Sequence, residues 1–153
     1  MITIRKFQQE DAETVSDLIR TVLTEVNSKD YSSSVIQILC NDYSPSYLLT
    51  VSEKRDVFVA VDRDKILGTA SIGEKIIMDV FVLPKKQGQK IGTMLMNHAE
   101  GLARERGYPH VELPSSTTAR EFYLKLGYRQ TRDDFDETYG RTILMKKTLR
   151  GRT

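Results

Sequence analysis

The sequence predicts an α/β (α+β) fold built on a mixed, mostly antiparallel sheet of seven strands, and three observations carry that reading. First, the apolar strand of residues 80–83 runs into a turn containing Gly88. Beyond the turn Ile91, Met94, Leu95, Ala99, Leu102 and Ala103 recur at the spacing of one buried helical face. Second, the apolar runs 57–61, 66–72 and 76–83 follow one another across short polar turns, which makes them antiparallel neighbours. Third, a whole helix separates the last of these from residues 110–113, a crossover long enough to bring that fifth strand in parallel to the fourth.

The remaining elements follow in order. Ile2, Ile4 and Phe7 alternate with polar neighbours as a short first strand. Between Asp11 and Val26, Ala12, Val15, Leu18, Ile19, Val22 and Leu23 mark the apolar face of a helix whose first turn carries acids, as the positive end of a helix dipole favours. The serines before Val35 can cap a second helix through Asn41, and Ser44-Pro45 can open a third, because proline is tolerated in a first turn. After the central helix, Gly107 is a stop and Pro109 prevents resumption. Thr118 and Glu121 fit a capping box for a further helix that ends at Gly127. Residues 128–132 and 141–149 read as a closing strand pair, joined by the acidic connection Asp133, Asp134, Phe135, Asp136 and Glu137.

Length and composition bound the class. At 153 residues and 39% hydrophobic the chain suits one domain, expected over 1–149, with 150–153 as a loose tail. Lys and Arg number 23 against 21 Asp and Glu, interleaved to a net charge of +2, which argues against a nucleic-acid binder. With no long apolar run, no membrane span or signal peptide is expected, and a cytoplasmic location follows. A single cysteine excludes an internal disulfide; Cys40, among Val35, Ile36, Ile38 and Leu39, reads as a buried thiol. His98 and His110 are read as structural, and no metal site is expected.

The turn is the chemical focus. A helix N-terminus presents unpaired N–H groups and a positive dipole end, which suits a phosphate, and glycine lets main chain approach a ligand closely. A plain structural turn has the same outline.

Two motifs resolve that ambiguity. Gln87-Gly88-Gln89-Lys90-Ile91-Gly92 matches an acyl-CoA turn at Gln87 and Gly92, with Lys90 where a first glycine is usual. The later helix carries Ala119, Phe122, Tyr123, Lys125, Gly127 and Tyr128 of a second motif, with Ser116 in place of an asparagine. Their order and separation resemble the GNAT superfamily of N-acetyltransferases over nearly the full chain.

That resemblance implies a GNAT fold with helices on both sheet faces and splayed fourth and fifth strands. It implies acetyl-CoA as acyl donor, its pyrophosphate held by Gln87, Gly88, Gln89, Lys90, Ile91, Gly92 and Thr93, and its arm by the main chain of Val80, Phe81 and Val82. Tyr123 would contact the cofactor and protonate the leaving sulfur, while Ser116 would bond the arm or cap a helix. Asp79 is the candidate base, on a face shared with Ile77 and Phe81 by period two, and Glu74 is a second acid nearby. The acidic connection could draw a cationic amine. Lys90 is expected to be tolerated: with a negative φ its side chain could point outward, and its ammonium could reach a phosphate. The acceptor would be an amine of a small molecule or protein. The alternative is a catalytically weakened acyl-CoA-binding regulatory protein of the same fold. Oligomeric state is open, a homodimer included.

Overall fold

The computed structural model describes residues 1–150. The strands are β1 (Ile2–Lys6), β2 (Asp56–Asp62), β3 (Lys65–Gly73), β4 (Ile76–Val82), β5 (His110–Ser115), β6 (Arg129–Asp136) and β7 (Gly140–Thr148). The α-helices are α1 (Ala12–Glu25), α2 (Ser33–Asp42), α3 (Pro45–Lys54), α4 (Ile91–Glu105) and α5 (Arg120–Lys125). Among the described residues the seven strands form one sheet in the order β1-β2-β3-β4-β5-β7-β6. Pairing is antiparallel throughout except between β4 and β5, which run parallel.

Helices cover both faces because both faces of the central strands are apolar. In β2, Val57, Val59 and Val61 join the core beneath α1, α2 and α3, while Phe58 and Ala60 join the core beneath α4 and α5. A strand buried on both sides reads as a continuous apolar run. Helix α1 contributes Val15, Ile19 and Leu23 to the first core, and α4 contributes Leu95, Met96 and Ala99 to the second. Ser32 and Ser44 cap α2 and α3 by accepting the N–H groups of Val35 and Tyr47 at 3.3 and 3.1 Å.

Three local expectations are corrected. The acidic residues from Asp133 to Asp136 lie in β6 itself, and the turn falls at Glu137 to Tyr139. At a sheet edge open to solvent, charges tolerate a strand conformation and blunt the edge; Asp133 pairs with Arg141 at 2.6 Å and Asp134 with Arg132 at 2.8 Å. The Thr118–Glu121 capping box does not form, since Thr118 Oγ1 donates to Asp30 at 2.8 Å and Glu121 pairs with Arg120. Cys40 is half-buried, with Thr24 Oγ1 at 3.8 Å from its sulfur. Of the expected tail, Arg150 is exposed and the rest lies outside the described residues.

One charged cluster sits inside the second core. Glu100 is 2% exposed and accepts from Tyr128 Oη at 2.8 Å and Lys147 Nζ at 2.9 Å, tying α4 to β7. Removing one partner of a buried pair leaves the other charge uncompensated. Lys147→Met is therefore expected to cost about 3 kcal/mol in urea unfolding, well above the effect of Arg104→Met, whose guanidinium lies 3.8 Å from the same carboxylate.

Candidate active site

A cavity of about 620 Å³ lies where β4 and β5 part. The two strands pair at a single position, Ile76 with Glu112, after which β5 is held by β7 along its whole length. On its β4 side β5 is then an edge, the setting in which a strand tolerates Pro114. On β4, the Leu83 N–H donates to Leu67 C=O at 2.9 Å. Ladder bonds alternate in direction, so the main-chain groups of Val82 turn toward the cleft. Gln87 Nε2 donates to Val82 C=O at 3.1 Å across that side.

A bulge re-aims β4. Between the pairs Ser71–Met78 and Thr69–Phe81, two steps along β3 span three along β4, and Asp79 takes φ +57°. The period-two expectation therefore fails here: Ile77 enters the core beneath α4, and Phe81 packs toward the core beneath α1. The extra residue places Asp79 in the cavity wall, where Tyr43 Oη donates to Asp79 Oδ1 at 2.6 Å. Burial pushes the Asp79 carboxyl above its ordinary value, while the Tyr43 hydrogen bond and the Arg55 charge pull it partly back. The Tyr43 hydroxyl is itself raised well above its usual range, by burial first and then by Asp79. Tyr43 is the residue that sequence reasoning missed, since nothing in its local sequence links it to a strand 36 residues away. Glu74 is exposed in the β3–β4 turn and lies outside the cavity.

The turn before α4 exposes a row of donors. Among the described residues the N–H groups from Gly88 through Thr93 have no hydrogen-bond acceptor; the first amide of the region to find one within the helix is that of Met94, bonded to Lys90 C=O at 3.0 Å. Lys90 adopts φ +63° and ψ 17°, the left-handed conformation rather than the negative φ that would point its side chain outward. It is exposed and unbranched at Cβ, so the lysine accepts a glycine-type conformation at a cost of about 1–2 kcal/mol. The turn keeps its shape.

The other expected residues fall as follows. Val80, Phe81, Val82, Gln87, Gly88, Ile91, Thr93 and Ser116 line the cavity; Gln89 does not. The Ile91 side chain is in the core at 1% exposure, so only its amide is available. A Cβ on Gly92 would stand 2.9 Å from Phe122 Cζ, so a larger residue here would have to push the α5 ring off the turn. Ser116 Oγ accepts the Ala119 N–H at 3.1 Å, closing the turn that leads into α5. Tyr123 packs edge-on against Phe122 and Tyr128 at centroid distances of 5.1 and 5.8 Å. Its hydroxyl has no hydrogen-bond partner among the described residues yet is not sealed from solvent, and the residue lines the cavity. Burial, then the charge of Asp79, raises its ionisation above the ordinary tyrosine value, so it stays a proton donor. Among the described residues no three His, Cys, Asp or Glu converge as metal ligands, and no helix is long and apolar enough to cross a membrane.

A sheet opened between parallel neighbours, a bulged strand at the opening and a row of free amides at a helix N-terminus define the acetyltransferase class of α/β fold. The chain belongs to the GNAT acetyltransferase family, whose domain model matches residues 28–149. Over 63 residues it is 43% identical to the aminoalkylphosphonate N-acetyltransferase of Salmonella typhimurium, a stretch covering 39% of this chain and only 40% of that protein. The fold matches the GCN5-related N-acetyltransferase of Rhodopseudomonas palustris with TM-score 0.90 at 22% identity, over 96% of this chain and 95% of that one. It also matches the PaiA N-acetyltransferase of Thermoplasma acidophilum, solved with coenzyme A, with TM-score 0.83 at 23% identity, over 97% and 99%.

Backbone strain at Lys90 gives a direct test. Thermal unfolding of Lys90→Gly is expected within about 1 kcal/mol of the parent, because relief of the left-handed strain offsets the greater freedom of an unfolded glycine. Lys90→Val, branched at Cβ, is expected to lose stability clearly relative to Lys90→Gly.

Proposed function

We propose that this chain is an acetyl-CoA-dependent N-acetyltransferase, acting as a single catalytic domain in the cytoplasm on a primary amine by direct attack. One observation carries the reading: the unsatisfied amides from Gly88 to Thr93 stand at the N-terminus of α4, and all these residues but Gln89 line the same cavity that the parted β4 and β5 create. Such amides and the helix dipole suit the diphosphate of coenzyme A, and the cleft-facing main chain of β4 suits the amide-bearing arm. The coenzyme A bound to the Thermoplasma acidophilum relative supports the same reading.

Acetyl-CoA supplies the activated acyl group. The residues around it divide the proton work. Asp79, ionised, takes a proton from the acceptor ammonium, directly or through one water, and its raised pKa makes it a better base than an ordinary aspartate. An N–H of β4, from Val80 to Val82, is aimed to stabilise the oxygen of the carbonyl under attack. The amine nitrogen forms the amide bond, the carbon–sulfur bond breaks with its electron pair going to sulfur, and Tyr123 gives that sulfur a proton. Retention of the turn at Lys90 favours this over a catalytically weakened binding protein.

Acetyl-CoA is expected to raise the melting temperature and to give measurable heat in calorimetry; a folded protein that responds to no CoA ester would remove the assignment. Tyr123→Phe is expected to lower kcat about 100-fold with acetyl-CoA Kd within twofold; unchanged turnover would exclude its role. Because the base works only when ionised, kcat/KM should fall as pH drops through a value above that of an ordinary aspartate. Tyr43→Phe removes a hydrogen bond that lowers the Asp79 pKa, so the acid limb should move to higher pH, and Asp79→Asn should abolish it.

A further inference from the structure

The amine end of the cavity is built from α1, α2 and the β6–β7 hairpin, and its chemistry is unlike that of the turn. Val22, Leu23 and Val26 of the α1 end and Leu39 of α2 supply apolar wall, and Tyr31 and Tyr43 add aromatic surface. Charge is sparse and mostly accounted for. Among the described residues Asp79 is the one carboxylate in the lining. The cations there are Lys86 and Lys90, beside the amide row of the turn, and Arg141. Arg141 is engaged by Asp133, to which its Nε donates at 2.9 Å and its Nη2 at 2.6 Å.

Within this apolar wall the most deeply buried polar side chain is left unsatisfied. Asn27 is 8% exposed, and its carboxamide makes no hydrogen bond among the described residues. Neither of its polar atoms is sealed from solvent, and the residue lines the cavity, so the carboxamide is open to what the cavity holds. With both a donor and an acceptor free and facing the cavity, the carboxamide can pair with a polar group of a molecule held there.

We infer that the acceptor is a small primary monoamine on an uncharged, mainly apolar body, bearing one neutral polar group that hydrogen-bonds Asn27. The inference rests on the transferase reading above and names its substrate class. A polyamine or aminoglycoside would bring several ammonium groups to an end of the cavity where Asp79 is the one carboxylate in the lining. An amine carrying a carboxylate or phosphonate would need a free cation away from the turn, and Arg141 is already paired. Specificity by a buried hydrogen bond is strong, because an acceptor lacking the group leaves Asn27 unpaired.

The test measures CoA release by the full chain with a thiol indicator, using tyramine, phenethylamine, spermidine and 2-aminoethylphosphonate as acceptors. Expected is a kcat/KM for tyramine at least tenfold above those of the other three. Asn27→Ala should bring the tyramine to phenethylamine ratio close to 1, with acetyl-CoA Kd within twofold as the check on folding. Leu39→Glu, which adds a second carboxylate to the wall, should raise spermidine relative to tyramine at least fivefold. It serves also if Asn27→Ala does not fold. Equal or better use of spermidine or the phosphonate overturns the inference, as do equal rates for tyramine and phenethylamine. Acetyl-CoA binding with none of the four acetylated overturns it while leaving the cofactor site standing. Failure to bind acetyl-CoA at all removes the transferase reading itself.

Discussion

The parting of β4 from β5 is the constraint on which the rest of the molecule depends. After one parallel pair, Ile76 with Glu112, the strands share no further partner residues, and β5 turns its pairing to β7. Strands in a buried sheet seldom leave main-chain groups unpaired, because each unsatisfied amide or carbonyl away from water costs free energy. Here the opening is kept because both neighbours are anchored elsewhere: β4 by its ladder to β3, β5 by its ladder to β7, and Ile77 of β4 with Val111 and Leu113 of β5 in the core beneath α4. The result is a slot walled by backbone, bordered at one end by the Gly88 to Thr93 amides.

Two residues held at positive φ shape that slot. Asp79 at +57° makes the bulge that carries a carboxylate into the cavity; without the extra residue, an acid at that position would follow Ile77 into an apolar core or face the opposite helices. Lys90 at +63° turns the chain so that the amides following it enter α4 unbonded. Strain of this kind persists where surrounding packing over-determines it. At the turn that packing is visible in Gly92, which admits the Phe122 ring so closely that a methyl group would displace it. The α5 motif and the turn motif are therefore one packing unit, the ring of Phe122 joining them while the neighbouring Tyr123 lines the cavity.

Two groups of ion pairs contrast in what they do. Those on β6 are exposed and chiefly keep an edge strand soluble, whereas Glu100 lies in the core and is satisfied by both Tyr128 and Lys147. Tyr128 thus packs its ring against Tyr123 while its hydroxyl bonds Glu100, linking the stability of α4 to the position of a residue in the cavity wall.

Much of this was legible in the order of residues. The strand and helix periods, the serine caps of α2 and α3, and the spacing of Gln87, Gly92, Phe122 and Tyr123 are local or nearly local properties. Backbone sterics and burial of a single face write them directly into sequence, and they determined the fold, the family and the location of the turn. Tertiary structure alone decided the rest. The bulge that re-aims Asp79 depends on register against β3, and the hydrogen bond from Tyr43 joins segments that only packing brings together. The strand character of the acidic run depends on its lying at a solvent-exposed edge beside Arg141. The unsatisfied Asn27 is polar by sequence but buried by the company of α1, α2 and the hairpin. Each of these is a statement about neighbours distant along the chain, which no local pattern of residues encodes.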